Sequence, residues 1–77
     1  MPYFLYSIYD DATPVELLEE QDDLDGARKA RNRYDRSRGP NDNFFVDFFY
    51  AGSEEEARAK ARTRHDEWLA TLGKAES

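Results

Sequence analysis

The chain of 77 residues has no cysteine, so neither a disulfide nor a thiolate-metal site can stabilise it. A domain of this length buries only about 60% of the surface that its unfolded chain exposes, so it needs a compact core or a partner. Without cysteine a reducing compartment is the simpler home, and we predict a cytoplasmic protein. Apolar runs near the ~20 residues of a membrane helix are also missing, and no basic residue precedes the apolar N-terminal segment. The sequence therefore predicts neither a membrane span nor a signal peptide.

Basic residues are in deficit, since 17 acids face 11 bases and the net charge is −6. This charge repels phosphate backbones and argues against general nucleic-acid binding. The acids are concentrated, because residues 10–25 hold eight acids and no base, whereas residues 28–38 hold six bases and one acid. The six bases point in several directions around a helix, which is typical of a solvated face. The acidic run suits a basic groove on a target, so an acidic inhibitor or nucleic-acid mimic is one function that we carry forward.

Residue types that carry chemistry are scarce. His65 is the only histidine, and without cysteine it has no set of zinc ligands and no thiol to activate. The four glycines stand far apart, so no phosphate-binding loop is present. Residues 21–26 approach a calcium-loop pattern, but Gln21 and Asn32 occupy its first and twelfth positions. We predict no catalytic residue, no cofactor and no metal; an enzyme built on His65 is the alternative, and it predicts a ligand pocket beside that residue.

Two segments carry most of the aromatic side chains. Residues 3–9, YFLYSIY, are rich in residues that favour β-structure and end at two aspartates, which predicts the first strand. Because this strand is apolar on both faces, we expect it in the middle of a sheet. Residues 43–51, NFFVDFFYA, follow a Gly-Pro-Asn-Asp turn and predict the last strand.

Two further segments have helical periodicity. Residues 23–38 have one narrow apolar stripe, acids in the first turn, arginines towards the end and a Gly-Pro stop. Residues 53–56, Ser-Glu-Glu-Glu, form a capping box ahead of Ala57, Ala61 and Trp68, which recur with the helical period. We expect Trp68 to pack on the sheet as part of the core. The sequence therefore predicts two helices, one over residues 23–38 and one that begins at the capping box.

Residues 15–21, VELLEEQ, admit two interpretations. Thr13 and Pro14 fit a helix start, and a helix from Pro14 would reach Arg38, roughly 25 residues, which is longer than most helices of globular proteins. As a strand, the same residues close a hairpin with the first strand. We predict the strand, because three strands cover the aromatic side chains better than two do.

The assembled order is ββαβα, a single small α+β domain over residues 1–73 with a disordered tail over residues 74–77. The hairpin places the second strand beside the first, and a right-handed crossover through the first helix brings the third strand to the other edge of the first. This predicts a three-stranded antiparallel sheet of order 2-1-3. We expect both helices on one face of the sheet.

Alternation along the two aromatic strands predicts which side chains meet the helices. Ser7 and Asp47, as polar residues, mark the outer face of their strands. The inner layer is then Phe4, Tyr6, Ile8, Phe44, Val46 and Phe48. The uncovered outer face holds the predicted interaction residues, which are Tyr3, Leu5, Tyr9, Phe45, Asp47 and Phe49.

An uncovered face of this kind amounts to about 500 Å², and patches of that size usually mark contacts. Self-association as a two-fold homodimer is the first expectation. The alternatives are a protein partner, a segment of the chain folded over the face, and a platform for single-stranded nucleic acid, against which Asp47 and the net charge of −6 argue. We predict a non-catalytic interaction or regulatory domain that self-associates through this aromatic face.

Three segments, PYFLYSIY, VELLEEQDDLDGARKAR and FFYAGSEEEARAKA, together resemble the layout of short uncharacterised bacterial proteins. In these proteins an aromatic strand and a second strand lead into an acid-capped helix, which is followed by another strand and helix. The resemblance covers most of the chain and implies the ββαβα order. It implies no activity and no site residues, so none are transferred. In that layout a glutamate precedes the alanine of the first helix. This chain departs from it, because Asp25 and Gly26 stand before Ala27.

Overall fold

The computed structural model describes residues 2–72, apart from the side chain of Leu72. Its elements are β1 (Tyr3–Tyr9), β2 (Glu16–Gln21), α1 (Leu24–Ser37), β3 (Phe44–Tyr50) and α2 (Glu54–Leu72). The predicted ββαβα order is confirmed, and the ambiguous segment is a strand. The predicted tail, residues 74–77, lies outside the described residues. Neither helix in the described range is long and apolar enough to cross a membrane.

The three strands form one antiparallel sheet in the order β2-β1-β3, as predicted. The central strand β1 is buried along its length, since the five consecutive residues from Phe4 to Ile8 are each 4% exposed or less. Alternate side chains of a strand point to opposite faces. Both faces of the sheet are therefore covered within a single chain.

The two helices lie on opposite faces of the sheet. Ala30 of α1 packs in a cluster with Leu5, whereas Ala61 of α2 packs in a cluster with Phe4 and Tyr6. The prediction that both helices cover one face is therefore wrong. Three strands at about 4.8 Å spacing are about as wide as one helix of 10–12 Å diameter, so one helix covers one face and the second is available for the other.

The register between β1 and β3 explains why the predicted inner layer is also wrong. Tyr6 lies opposite Asp47 and Phe4 lies opposite Phe49, and residues that are directly opposite share a face. Even-numbered residues of β1 therefore share a face with odd-numbered residues of β3. The face towards α2 holds Phe4, Tyr6, Ile8, Phe45, Asp47 and Phe49. The face towards α1 holds Tyr3, Leu5, Ser7, Tyr9, Phe44, Val46, Phe48 and Tyr50.

A β-bulge in β2 distributes its short apolar segment between the two cores. Leu5 pairs with Glu19 and Tyr6 pairs with Leu17, so Leu18 is the extra residue. Leu17 packs in the core beneath α2, and Leu18 packs in the core beneath α1. The bulge therefore turns Leu18 and Glu19 together towards α1.

The aspartates that approach a calcium-loop pattern serve the start of α1. Asp23 is the N-cap, and its carboxylate accepts a hydrogen bond of 2.7 Å from the backbone N–H of Gly26. Asp25 forms an ion pair of 3.0 Å with Lys29 one turn later. Acids in the first turn also suit the positive end of the helix dipole.

Candidate interaction surface

The structure divides the predicted interaction residues between two covered faces. Tyr3, Leu5 and Tyr9 lie on the face towards α1, and Phe45, Asp47 and Phe49 lie on the face towards α2. Leu5 is fully buried, and Phe49 packs against the core beneath α2. The single aromatic face is therefore not formed, and the area that suggested a docking surface is used inside one chain.

A small part of the aromatic surface stays exposed at one end of β1 and β3. The ring centroids of Tyr3 and Tyr50 are 5.0 Å apart, and those of Tyr3 and Phe48 are 5.8 Å apart. Tyr50 is 46% exposed. We call these three residues the aromatic rim. It is much smaller than the predicted patch.

Side chains partly close the free edge of β3. They occupy three backbone groups of this edge strand: Arg38 donates to the carbonyl of Phe44, Asp47 accepts from the N–H of Phe48, and Lys60 donates to the carbonyl of Tyr50. Open backbone groups on an edge strand are a template for pairing with another chain. The capped edge is therefore a poor place for an added strand.

Asp47 is held by both helices and does not mark an open face. Arg31 of α1 lies 3.8 Å from one carboxylate oxygen, and Arg64 of α2 lies 4.0 Å from the other. The two guanidinium groups also lie over rings of β3, Arg31 at 4.9 Å from the centroid of Phe48 and Arg64 at 5.1 Å from that of Phe45. The single acid of β3 thus balances two arginines at the edge of the sheet.

A cavity of about 330 Å³ opens where β1 ends and β3 begins. We call it the ring cavity, because Phe44, Phe45 and Trp68 line it. Its charged lining residues are Asp10, Arg38 and Asp42. The volume lies at the lower end of the ~300–1,000 Å³ that is typical of ligand sites. The cavity combines apolar rings with charged groups.

Hydrogen bonds from side chains in the turn between α1 and β3 hold the lining of the ring cavity in place. The carboxylate of Asp42 accepts a hydrogen bond of 2.7 Å from the backbone N–H of Gly39, which closes the turn between α1 and β3. The side-chain amide of Asn43 donates to Asp10 at 2.9 Å and to Asp11 at 2.8 Å. The turn is thereby tied to the end of β1.

Trp68 forms the wall of the ring cavity from the α2 side. Its ring meets that of Phe45 edge to face, with centroids 4.6 Å apart and planes at 79°. The helical period predicts that Trp68 packs on the sheet, and it does not predict the cavity. A signal was present, because the end of one strand lies beside the start of its antiparallel neighbour, which brings Asp10 next to Asn43.

His65 does not contribute to the ring cavity. It is buried, at 8% exposed, and the carbonyl oxygen of Asp11 accepts a hydrogen bond of 2.8 Å from its Nε2. This contact fixes the loop after β1 on α2. Among the residues that the structure describes, no group of three or more histidines and acids could hold a metal ion.

The uneven charge of the sequence appears on opposite edges of the sheet. Exposed acids lie on β2 and directly after it, and they are Glu16, Glu20, Asp22 and Asp23. The edge of β3 is lined by basic side chains that contact its residues, and these are Arg31, Arg38, Lys60 and Arg64. The domain therefore has an acidic edge at β2 and a basic edge at β3.

No family model matches the chain, and neither a curated protein nor a solved structure matches it. The resemblance to short bacterial proteins of the same layout therefore stays a prediction. Function has to be argued from the surfaces of the molecule, and above all from the ring cavity.

Proposed function

We propose that this chain is a non-catalytic domain that binds a protein partner at the ring cavity. The observation that supports the proposal is the cavity itself, in which Phe44, Phe45 and Trp68 stand beside charged groups at an open end of the sheet. Concave sites with apolar walls and a few polar groups are where ligands and partner side chains usually bind. A buried anchor in such a pocket carries a large share of the affinity of many interfaces.

Other surfaces support a binding role less well. Helices cover both faces of the sheet, and side chains cap the edge of β3. His65 is held by the backbone of Asp11 and lies outside the lining of the ring cavity, so a histidine-based reaction could not use this cavity. These placements favour binding over catalysis.

Self-association as a homodimer stays a prediction, but it would have to use a different surface from the sheet face. The sheet face that suggested it is covered, and among the described aromatic side chains the exposed one is Tyr50 of the rim. A rim of three rings offers a small contact area, whereas stable interfaces bury about 800 Å² on each partner. A protein partner at the ring cavity is therefore the proposal that we prefer.

The experiment uses two proline variants of the full chain as bait in capture from a cell lysate. Pro40→Arg places a long side chain at the cavity, and Pro14→Arg makes the same change at another exposed loop position. We expect wild type and Pro14→Arg to retain the same protein and Pro40→Arg to lose it. Equal retention by both variants, or no specific retention by wild type, would overturn the proposal.

The acidic edge favours a second candidate, an inhibitor or nucleic-acid mimic that binds a basic groove. Glu16 and Glu20 are exposed on an edge strand next to Asp22 and Asp23. Binding of this kind weakens as salt rises, because the Debye length falls from ~10 Å at 0.1 M to ~3 Å at 1 M. We expect a partner of the acidic edge to be lost with Glu16→Gln and Glu20→Gln and kept with Pro40→Arg. The reverse pattern excludes this candidate.

A further inference from the structure

We propose that His65 is a positioning residue of the ring cavity, which holds the end of β1 at a fixed place relative to Trp68. The inference rests on the proposed function, because the arrangement that His65 maintains is the one that a partner meets. His65 is not among the residues that line the cavity. Its imidazole acts instead through the backbone of Asp11.

One turn of α2 contacts the ends of both strands that border the cavity. The Nε2 of His65 donates a hydrogen bond of 2.8 Å to the carbonyl oxygen of Asp11, the residue directly after the lining residue Asp10. Trp68 meets the ring of Phe45, near the start of β3, with centroids 4.6 Å apart. Residues three apart in a helix lie on the same side of it, as His65 and Trp68 do. A short segment of helix therefore joins the end of β1 to the start of β3.

The ends of β1 and β3 are also joined to each other. The backbone N–H of Asp10 donates to the carbonyl of Asn43 at 2.8 Å. The side-chain amide of Asn43 donates to the carboxylates of Asp10 and Asp11, at 2.9 Å and 2.8 Å. The contacts thus form a closed circuit, from α2 through the loop after β1 to the start of β3, and back to α2 through Phe45 and Trp68. In such a network each contact limits the movement of the others.

His65 supplies a long-range contact of this circuit from a fixed position. Its hydrogen bond joins residues 54 positions apart in the sequence, so it fixes tertiary structure and not a local turn. The imidazole is buried, and Ala61, one turn earlier, is fully buried in the core beneath α2. Residues 11–14 of the loop are exposed. An exposed loop is therefore positioned by a donor that the packing of α2 holds in place.

Loss of this donor is expected to open the loop without unfolding the domain. Asp11 is exposed, so its carbonyl can accept from water once the imidazole is replaced. β1 stays paired with β2 and β3, and its residues from Phe4 to Ile8 stay buried. Surface segments open at a lower free energy than core strands do. The lining at Asp10 then moves relative to Trp68, and a partner has to order it at a cost in affinity.

Two substitutions at His65 separate its hydrogen bond from the packing of its ring. His65→Phe keeps a ring and removes the donor, whereas His65→Gln removes the ring and keeps an N–H donor at a similar distance along the side chain. Hydrogen exchange of the Asp10 backbone amide, followed by NMR, reports the opening, because this N–H donates to Asn43. We expect exchange to be about tenfold faster in His65→Phe and close to the wild-type rate in His65→Gln.

The amides of residues 4–8 in β1 are the internal control, and we expect them to exchange at the wild-type rate in both variants. An unchanged Asp10 amide in His65→Phe would overturn the inference. Equal acceleration in His65→Phe and His65→Gln would overturn it as well, because a donor at this position would then have no effect.

Capture of the partner is the second measurement. We expect wild type and His65→Gln to retain the protein that Pro40→Arg loses, and His65→Phe to lose it. Tyr34→Phe is the control for lowered stability, since it removes a hydrogen bond between α1 and β2 outside the cavity lining, and we expect it to retain the protein. Retention by His65→Phe, or loss with Tyr34→Phe, would contradict a positioning role.

The two measurements separate the inference from the proposed function. If the Asp10 amide exchanges faster in His65→Phe and no protein depends on Pro40, the positioning role is supported and the protein partner is overturned. If Pro40→Arg loses a captured protein while His65→Phe keeps it, the inference is wrong and the cavity still binds a protein partner. Circular dichroism of each variant shows whether it keeps the wild-type fold.

Discussion

The hydroxyl of Tyr34 donates a hydrogen bond of 2.8 Å to the carboxylate of Glu19, which joins α1 to the bulge of β2. Arg33 and Gln21 donate to the same carboxylate. Burial raises the pKa of Glu19, but the hydrogen bonds from Gln21, Tyr34 and Arg33 outweigh it, and the pKa lies below its ordinary value. The crossover helix is thus fixed to the edge strand by one ionised carboxylate.

Replacing Tyr34 by phenylalanine removes one of these donors and keeps the ring in the core. We expect Tyr34→Phe to lower the free energy of unfolding by about 1–2 kcal/mol, because hydrogen bonds to charged groups are stronger than neutral ones. Urea unfolding followed by circular dichroism measures this. Tyr50→Phe is the control, since its side chain is exposed, and a loss as large as that of Tyr34→Phe would contradict the assignment.

The Glu19 carboxylate also predicts how stability depends on pH. A carboxyl group whose pKa is lower in the folded chain stabilises the fold above its unfolded pKa, and this contribution is lost as pH falls through the folded value. The ordinary value is 4.5, so the loss lies below that pH. In Glu19→Gln we expect a smaller fall in unfolding free energy between about pH 5 and pH 3 than in wild type. Glu20→Gln, at an exposed position, is expected to follow the wild-type curve.

Local signals explain why the element order and strand order were predictable. The capping aspartate Asp23, the Gly-Pro stop after α1 and the two aromatic runs each act within a few residues, and the strand order follows from hairpin and crossover rules. The faces were not predictable in this way. They depend on the register between β1 and β3, which pairs residues more than 30 positions apart, and Asp47 looked like a solvent marker although two arginines hold it at the edge.

The ring cavity could not be predicted either, because it also depends on contacts between residues that are far apart in the sequence. The sequence places Asp10 in the turn after the first strand and Asn43 at the start of the last strand, and nothing local in either segment shows that their side chains meet. Trp68 was correctly placed on the sheet side of the last helix. The period of the sequence does not determine that its ring lies against Phe45 near the start of β3, where it becomes a wall of the cavity.

Ala61 tests the close approach of α2 to the sheet. It is fully buried against the core beneath α2, so Ala61→Leu inserts extra carbon atoms into filled space and is expected to destabilise the fold by about 1–3 kcal/mol. Ala59→Leu makes the same change on the exposed side of the helix and is expected to be nearly neutral. Urea unfolding of both variants measures the difference. Equal stability of the two variants would mean that the small side chain of Ala61 does not determine how closely α2 approaches the sheet.

Phe49 distinguishes a covered sheet from a sheet that docks through its aromatic face. If the face were open, Phe49→Glu would leave a folded chain and lower the mass of a dimer to that of a monomer. Since Phe49 packs against the core of Phe4 and Tyr6, with its ring 6.2 Å from that of Tyr6, we expect the charge to destabilise the fold. The loss should be at least about 2 kcal/mol, because a carboxylate near an apolar core has no partner.

The control for this prediction is the next residue along β3. Tyr50→Glu places the same charge on a side chain that is 46% exposed, and we expect it to keep the wild-type circular dichroism and urea midpoint. Light scattering of wild type, Phe49→Glu and Tyr50→Glu gives the mass of each at matched concentration. A folded, stable Phe49→Glu whose mass is half that of wild type would show that α2 does not cover this face. A mass halved by Tyr50→Glu alone would assign self-association to the aromatic rim.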